Sequence, residues 1–171
     1  MDLKSKIREI PDWPKKGISF KDITPLLQDS KAFSLAIDKL AEPYLNNKPD
    51  IVVGIDARGF ILSAVLAYKF NVGLAIIRKK GKLPYKTISQ DCTLEYATDT
   101  IEMHEDAIKS GQKVLLVDDV LATGGTMKAT ADIIEKVGGE IMGIAFLIEL
   151  DYLKGRDKLK DYPIYSLIRY E

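Results

Sequence analysis

Two adjacent carboxylates, Asp118 and Asp119, stand between an apolar run and a small glycine turn. Val114–Val117 reads as a buried parallel strand, which puts both acids at its carboxyl end. The turn Ala122-Thr123-Gly124-Gly125-Thr126 follows. A helical pattern then begins at once, with Met127, Ala131, Ile134 and Val137 on one face. Such a turn offers backbone N–H groups and two hydroxyls at a helix N-terminus, which suits a phosphate monoester. Gly124 and Gly125 let the backbone approach the anion with no Cβ in the way. The paired acids repel phosphate. They suit a ribose diol, or a cation held between them and the ligand. The expected ligand is a phosphorylated sugar with Mg²⁺ nearby.

Two further segments carry matching chemistry. Asp56-Ala57-Arg58-Gly59 lies between a strand and a helix, so its amides can face an anion, and Arg58 adds a planar donor for phosphate oxygens. Arg78, Lys79, Lys80 and Lys82 form a basic run after the next strand, placed to offset the charge of a diphosphate. Gly81 reads as a hinge from which the following loop closes and excludes water. No Walker A pattern and no G-x-G-x-x-G fingerprint competes with these segments. His104 is the only histidine and has no strand-end position, so it reads as structural; Cys92 lacks a His or Asn partner pattern and reads as incidental, in a mobile loop.

The elements that must position these residues alternate. A short helix is expected over residues 2–10, ended by Pro11 and Pro14, and residues 11–28 read as irregular. Phe33, Ile37, Leu40 and Tyr44 mark an amphipathic helix. Strands follow at Ile51–Ile55, Leu74–Arg78, Val114–Val117, Ile141–Ile148 and Ile164–Arg169, with a helix from Gly59 to about Phe70. Residues 79–100 are polar and weakly periodic, and are expected as a long functional loop. Alternating strands and helices imply an α/β fold, a mainly parallel twisted sheet flanked by helices. Ligands of such sheets bind beyond the carboxyl ends of the strands. The three loops 56–59, 79–100 and 118–126 are therefore expected to converge.

Composition narrows the class. A chain of 171 residues, 46% hydrophobic, is long enough for one domain with a sizeable core. Lys+Arg and Asp+Glu are both 25, so the zero formal charge argues against a general nucleic-acid binder. A single cysteine excludes an intrachain disulfide and fits a reducing compartment. Neither a signal-peptide core nor an apolar run of roughly 20 residues is seen, so a cytoplasmic protein away from the membrane is expected. No Cys/His cluster offers a metal site of its own.

The run from Val114 to Thr126 resembles the phosphoribosyl-diphosphate (PRPP) motif of the type I phosphoribosyltransferases. Phe20-Lys-Asp-Ile-Thr-Pro25, Gly59-Phe60, Arg78-Lys-Lys-Gly-Lys-Leu-Pro84, Leu94-Glu95-Tyr96, Leu153-Lys-Gly-Arg156 and Tyr165–Glu171 are similar to the adenine branch of that family. The resemblance spans about Ile10 to Glu171. It implies the type I phosphoribosyltransferase fold in one domain, 1–171, with a small N-terminal hood over the base at about 1–30 and a PRPP-binding core at about 31–171. It implies the reaction adenine + PRPP → AMP + pyrophosphate, in purine salvage, with Mg²⁺ bound mainly through PRPP or pyrophosphate, and a homodimer.

The same resemblance distributes roles. Phe20 stacks on adenine, the main chain near Ser19 reads its amino group, and Lys21 stands where Arg is common. Asp56, Ala57, Arg58, Arg78, Lys79 and Lys82 take the diphosphate, with a cis peptide at Asp56–Ala57. Ala122, Thr123, Gly124, Gly125 and Thr126 hold the 5′-phosphate. Asp118 and Asp119 take the ribose hydroxyls. Glu95 manages the purine proton, beside Tyr96. The catalytic set is thus Glu95, Arg58, Asp118 and Asp119. Two alternatives stand beside this reading: another purine base, and a PRPP-sensing regulator that lost the chemistry.

Overall fold

The computed structural model describes residues 1–94 and 97–171. They fall into two compact units, Met1–Lys39 and Leu40–Glu171. Among the described residues, no helix is long and apolar enough to cross a membrane.

In the first unit a short 3-10 turn, Leu3–Lys6, leads into a two-stranded antiparallel sheet of β1 (Arg8–Ile10) and β2 (Phe20–Asp22). Helix α1 (Thr24–Gln28) follows, then α2 (Ser30–Ala41), which runs into the second unit. The expected helix over 2–10 and the irregular stretch 11–28 are corrected here. The apolar spacing of Leu3 and Ile7 is satisfied by one 3-10 turn, with both side chains buried. The chain beyond it extends to pair Glu9 with Lys21. Pairing between positions so far apart leaves no local signal. Gly17, at φ +88°, sits in the connection, with its N–H donating to Asp12 Oδ1 at 2.7 Å. Helix α2 buries Ala32, Ala36, Ile37 and Leu40 along one face, as its spacing predicts.

The second unit is built on a seven-stranded sheet. Its strands are β3 (Ile51–Ile55), β4 (Gly73–Lys79), β5 (Thr87–Thr93), β6 (Thr98–His104), β7 (Lys113–Leu121), β8 (Glu140–Leu150) and β9 (Ile164–Tyr170). They lie in the order β5-β6-β4-β3-β7-β8-β9. Five strands, β4-β3-β7-β8-β9, are parallel, and β6 and β5 add an antiparallel hairpin at one edge. The sheet is therefore mainly parallel, as expected. The long loop 79–100 is not: most of it is the β5–β6 hairpin. Thr87–Thr93 mixes polar and apolar residues and is half-exposed, so its alternation is weak in the sequence.

Helices α3 (Arg58–Phe70) and α4 (Gly125–Lys136) make the crossovers from β3 to β4 and from β7 to β8. Strand β3 is buried at every residue, which explains its unbroken apolar run. A Cβ on Gly54 would overlap Ser63 Oγ, so the glycine sets how closely α3 packs on the sheet. Strand β7 continues through Asp118 and Asp119 to Leu121, because β8 pairs with it as far as Glu149. The acids lie within that strand rather than after it. The core joins Val53, Ile77, Leu116, Ile133, Ile144 and Phe146, each at most 1% exposed. Cys92 belongs to this core at 2% exposure, which corrects its placement in a mobile loop.

Candidate active site

Strand β3 has β4 on one side and β7 on the other, so the chain reverses its direction of progress across the sheet there. The carboxyl ends of β3 and β7 flank this switch point, where parallel sheets open a crevice. The loop after β3 and the end of β7 both reach it.

The peptide Asp56–Ala57 is cis, as the resemblance implies. Arg58 opens α3, and its Nε lies 2.6 Å from Asp119 Oδ2. Gly59 is packed against the other acid: a Cβ there would come within 2.6 Å of Asp118 Oδ1. The Asp119 N–H donates to Asp118 Oδ1 at 2.8 Å. Thus the 56–59 loop and the paired acids form one cluster. Burial pushes the Asp118 carboxyl well above its ordinary range, and the Asp119 carboxylate beside it adds to the shift; Arg58 opposes it.

From the adjacent strand, Arg78 Nε donates to Asp56 Oδ2 at 2.9 Å, and the Asp56 N–H donates to Ile77 O at 3.0 Å. The Arg78 charge offsets that of Asp56, which leaves this corner able to accept an anion. Lys79 Nζ is 3.1 Å from Asp99 Oδ2 on β6, with the lysine side chain 71% exposed. An exposed pair of this kind contributes roughly 0–1 kcal/mol, so the ammonium is easily given up to a ligand. Asp56, Arg78, Lys79 and Thr126 line one cavity of about 150 Å³, with an apolar floor that includes Ile77 and Ile101. Lys82 is absent from the described residues that line it; it sits exposed on the turn after β4, beside Gly81 at φ +88°.

The turn Ala122–Thr126 ends at the start of α4. Gly124, at φ +84°, is the N-cap, and no side chain caps this helix start among the described residues. The first-turn N–H groups of α4 have no intrahelical acceptors and remain for an anion. The two glycines also have a structural reason beside the room they leave for a ligand. A Cβ on Gly124 would come within 2.6 Å of the Gly155 carbonyl, and one on Gly125 would overlap the Thr93 carbonyl at the end of β5. Protein backbone therefore lies against both. Lys136 Nζ on α4 donates to Gln90 Oε1, which ties the same hairpin to the same helix.

The hairpin supplies the residues that sequence reasoning missed. Cys92, Leu94, Asp99 and Ile101 all line the cavity. Asp99 and Ile101 carry a signal, weak alternation beside a basic run, too diffuse to single them out; Cys92 reads as incidental, and Leu94 stands only within Leu94-Glu95-Tyr96. Burial and then the Asp99 carboxylate push the Cys92 thiol up, so it is a core filler rather than a nucleophile. His104 Nε2 accepts from the Tyr85 N–H at 3.4 Å, which agrees with a structural histidine. Glu95 and Tyr96 lie outside the described residues.

Within the first unit, Lys21 is 7% exposed, and its Nζ donates to Glu9 Oε2 at 2.6 Å and to Ser19 Oγ at 3.1 Å. It braces the β1–β2 hairpin, so its ammonium is already engaged. Trp13 meets Phe20 edge-on, with ring centroids 4.5 Å apart.

Among the described residues, no cluster of three or more His, Cys, Asp or Glu side chains could hold a metal ion. The phosphoribosyl transferase domain model matches residues 26–169. The chain belongs to the phosphoribosyltransferase family. An adenine phosphoribosyltransferase of Brachyspira hyodysenteriae is 55% identical over 170 residues, covering 99% of this chain and 100% of the relative. The solved adenine phosphoribosyltransferase of Thermoanaerobacter pseudethanolicus superposes with a TM-score of 0.96 at 52% identity, over 98% of each chain. That of Giardia lamblia, complexed with 9-deazaadenine, gives 0.95 at 36% identity, over 99% of this chain and 97% of its own. A phosphoribosyltransferase is a transferase of pentosyl groups, and the crevice at the switch point has the parts such a transfer needs: an anion cradle, paired acids and a basic corner.

Proposed function

We propose that the chain is a purine-salvage enzyme that transfers the phosphoribosyl group of PRPP to adenine, giving AMP and pyrophosphate. The observation that carries this is the convergence of Arg58 with Asp118 and Asp119 at the end of the strand that feeds the Ala122–Thr126 cradle. The full-length likeness to adenine phosphoribosyltransferases supports adenine as the base.

In this reading, Ala122, Thr123, Gly124, Gly125 and Thr126 hold the 5′-phosphate. Asp118 and Asp119 take the ribose hydroxyls, and their charge favours the oxocarbenium character that develops at the anomeric carbon. Asp56, Ala57, Arg58, Arg78, Lys79 and Lys82 receive the diphosphate, with Lys79 exchanging Asp99 for the leaving group. Purine N9 attacks from the face opposite pyrophosphate and inverts the configuration. Phe20 stacks on adenine, the Ser19 main chain reads the amino group, and Lys21 acts by bracing that segment. Glu95, beside Tyr96, manages the purine proton. Positioning of the two substrates in line is a large part of the catalysis.

Mg²⁺ fits this donor set. In this reading Asp118 and Asp119 are turned to the ribose and to Arg58, so the ion would be held mainly by the diphosphate, where it would neutralise charge. The buried, unpaired Cys92 supports a reducing, cytoplasmic setting. A homodimer is supported by α3, whose outer face presents Ile61 (40% exposed), Ala64 and Tyr68 (87% exposed) at helical spacing.

The test is the double variant Asp118→Asn with Asp119→Asn. We expect turnover of adenine and PRPP to fall about 100-fold or more while the circular dichroism spectrum is retained. Turnover like that of the unaltered enzyme would sink the role given to the pair.

A further inference from the structure

The cradle that takes the 5′-phosphate is backed by a turn that touches no ligand in the proposed reaction. Residues Gly155–Lys158 form a 3-10 turn after β8. The Gly155 carbonyl lies against Gly124, where a Cβ would come within 2.6 Å of it. The Gly155 Cα in turn faces the Ala122 carbonyl and the Leu121 side chain, so that a Cβ there would overlap both. Backbone thus presses on backbone at two places, on the residues that open the cradle.

The position of that turn is fixed by a buried charge. Glu149, near the carboxyl end of β8, is 3% exposed. Arg156, the neighbour of Gly155, grips it with a fork: Nε to Oε1 at 2.6 Å and Nη2 to Oε2 at 2.8 Å. Arg169 on β9 stands 3.9 Å from Glu149 and pairs with Asp151 at 2.9 Å, which adds a second cation to the group. A bidentate fork fixes both distance and orientation. The Arg156 side chain is 40% exposed, and an ion pair open to solvent on one side contributes little net stability, so stability alone is a weak reason for it here. Geometry is the stronger reason, since a misplacement of about 1 Å in a binding group can lower the rate roughly 100-fold.

We propose that Glu149 and Arg156 are positioning residues that hold the Gly155 turn against Gly124 and Ala122, and thereby set the spacing of the 5′-phosphate cradle. This rests on the function proposed above. The clamp acts on one end of the substrate only. The corner of Asp56, Arg78 and Lys79 is built from β3 and β4 and does not lean on this turn.

The experiment measures the affinity of ribose 5-phosphate and, separately, of pyrophosphate with Mg²⁺ by calorimetry. The proteins are the unaltered enzyme, Glu149→Gln, and Arg156→Lys, which keeps the charge and loses the fork. We expect both variants to lose roughly tenfold or more in ribose 5-phosphate affinity, with pyrophosphate affinity unchanged. The KM for PRPP should rise while that for adenine stays. Arg156→Lys serves even where Glu149→Gln fails to fold. A core variant outside the Val114–Thr126 run and the Gly155 turn, Leu40→Ala, controls for general loss of stability and should leave the ribose 5-phosphate affinity as it is. Equal loss of both ligands in a folded Arg156→Lys, or no loss of either, would overturn the positioning role. Failure of the unaltered enzyme to bind either ligand would instead overturn the proposed function.

Discussion

The types of single residues toward the end of β7 point to the work proposed for them, and their neighbours modify it. Asp118 and Asp119 were legible as a pair suited to a sugar diol, because adjacency after an apolar strand is visible in the sequence. That Arg58, far earlier in the chain, closes on Asp119, and that Gly59 admits Asp118, depends on tertiary contact and has no local signature. The raised pKa of Asp118, caused by burial and then by Asp119, has a consequence for stability. A carboxyl whose folded pKa exceeds its unfolded value of about 3.9 favours the folded state fully below that value, and the contribution is lost as pH rises through the folded pKa. Asp118→Asn removes a charge that burial disfavours. Its Tm should exceed that of the unaltered chain at neutral pH, and the gain should vanish below about pH 4, where the aspartate is protonated in both states. A thermal unfolding series against pH checks this; a lower Tm at neutral pH would contradict the assigned shift.

Among the elements, those with strong local periodicity were the readable ones. Strand β3 matches its expected bounds, α2 and α4 stand where their apolar spacing placed them, and α3 stands where the alternation of strands and helices placed it. The β5–β6 hairpin was not readable, because an edge strand such as Thr87–Thr93 buries little and alternates weakly. The same hairpin explains Gly125. The Thr93 carbonyl occupies the place of a Cβ there, so the end of β5 is seated on the start of α4. Gly125→Ala should displace that seat. Overpacking of this kind costs about 1–3 kcal/mol, and we expect the KM for PRPP to rise several-fold as the cavity wall moves. Steady-state kinetics with varied PRPP tests it, and an unchanged KM in the alanine variant would show that the seat is irrelevant to binding.

For the whole molecule, sequence and structure agree on an α/β, mainly parallel sheet, with the proposed site at its switch point, since the order of strands and helices along the chain restricts the topology so strongly. Which surface would meet another copy in the proposed dimer is less legible. The stripe of Ile61, Ala64 and Tyr68 shares its helix with buried Leu62 and Leu66, so the sequence shows only an apolar helix. The exposed face supports self-association, and sedimentation equilibrium should give about twice 19.1 kDa. Tyr68→Asp should shift the mass toward the monomer; a monomeric unaltered chain would refute the proposed dimer. The most direct measurement for the central claim is pyrophosphate release from PRPP and Mg²⁺ with adenine, hypoxanthine, guanine or xanthine as acceptor. The account predicts strong release with adenine alone. Release with a different base instead, or with none despite tight PRPP binding, would contradict it.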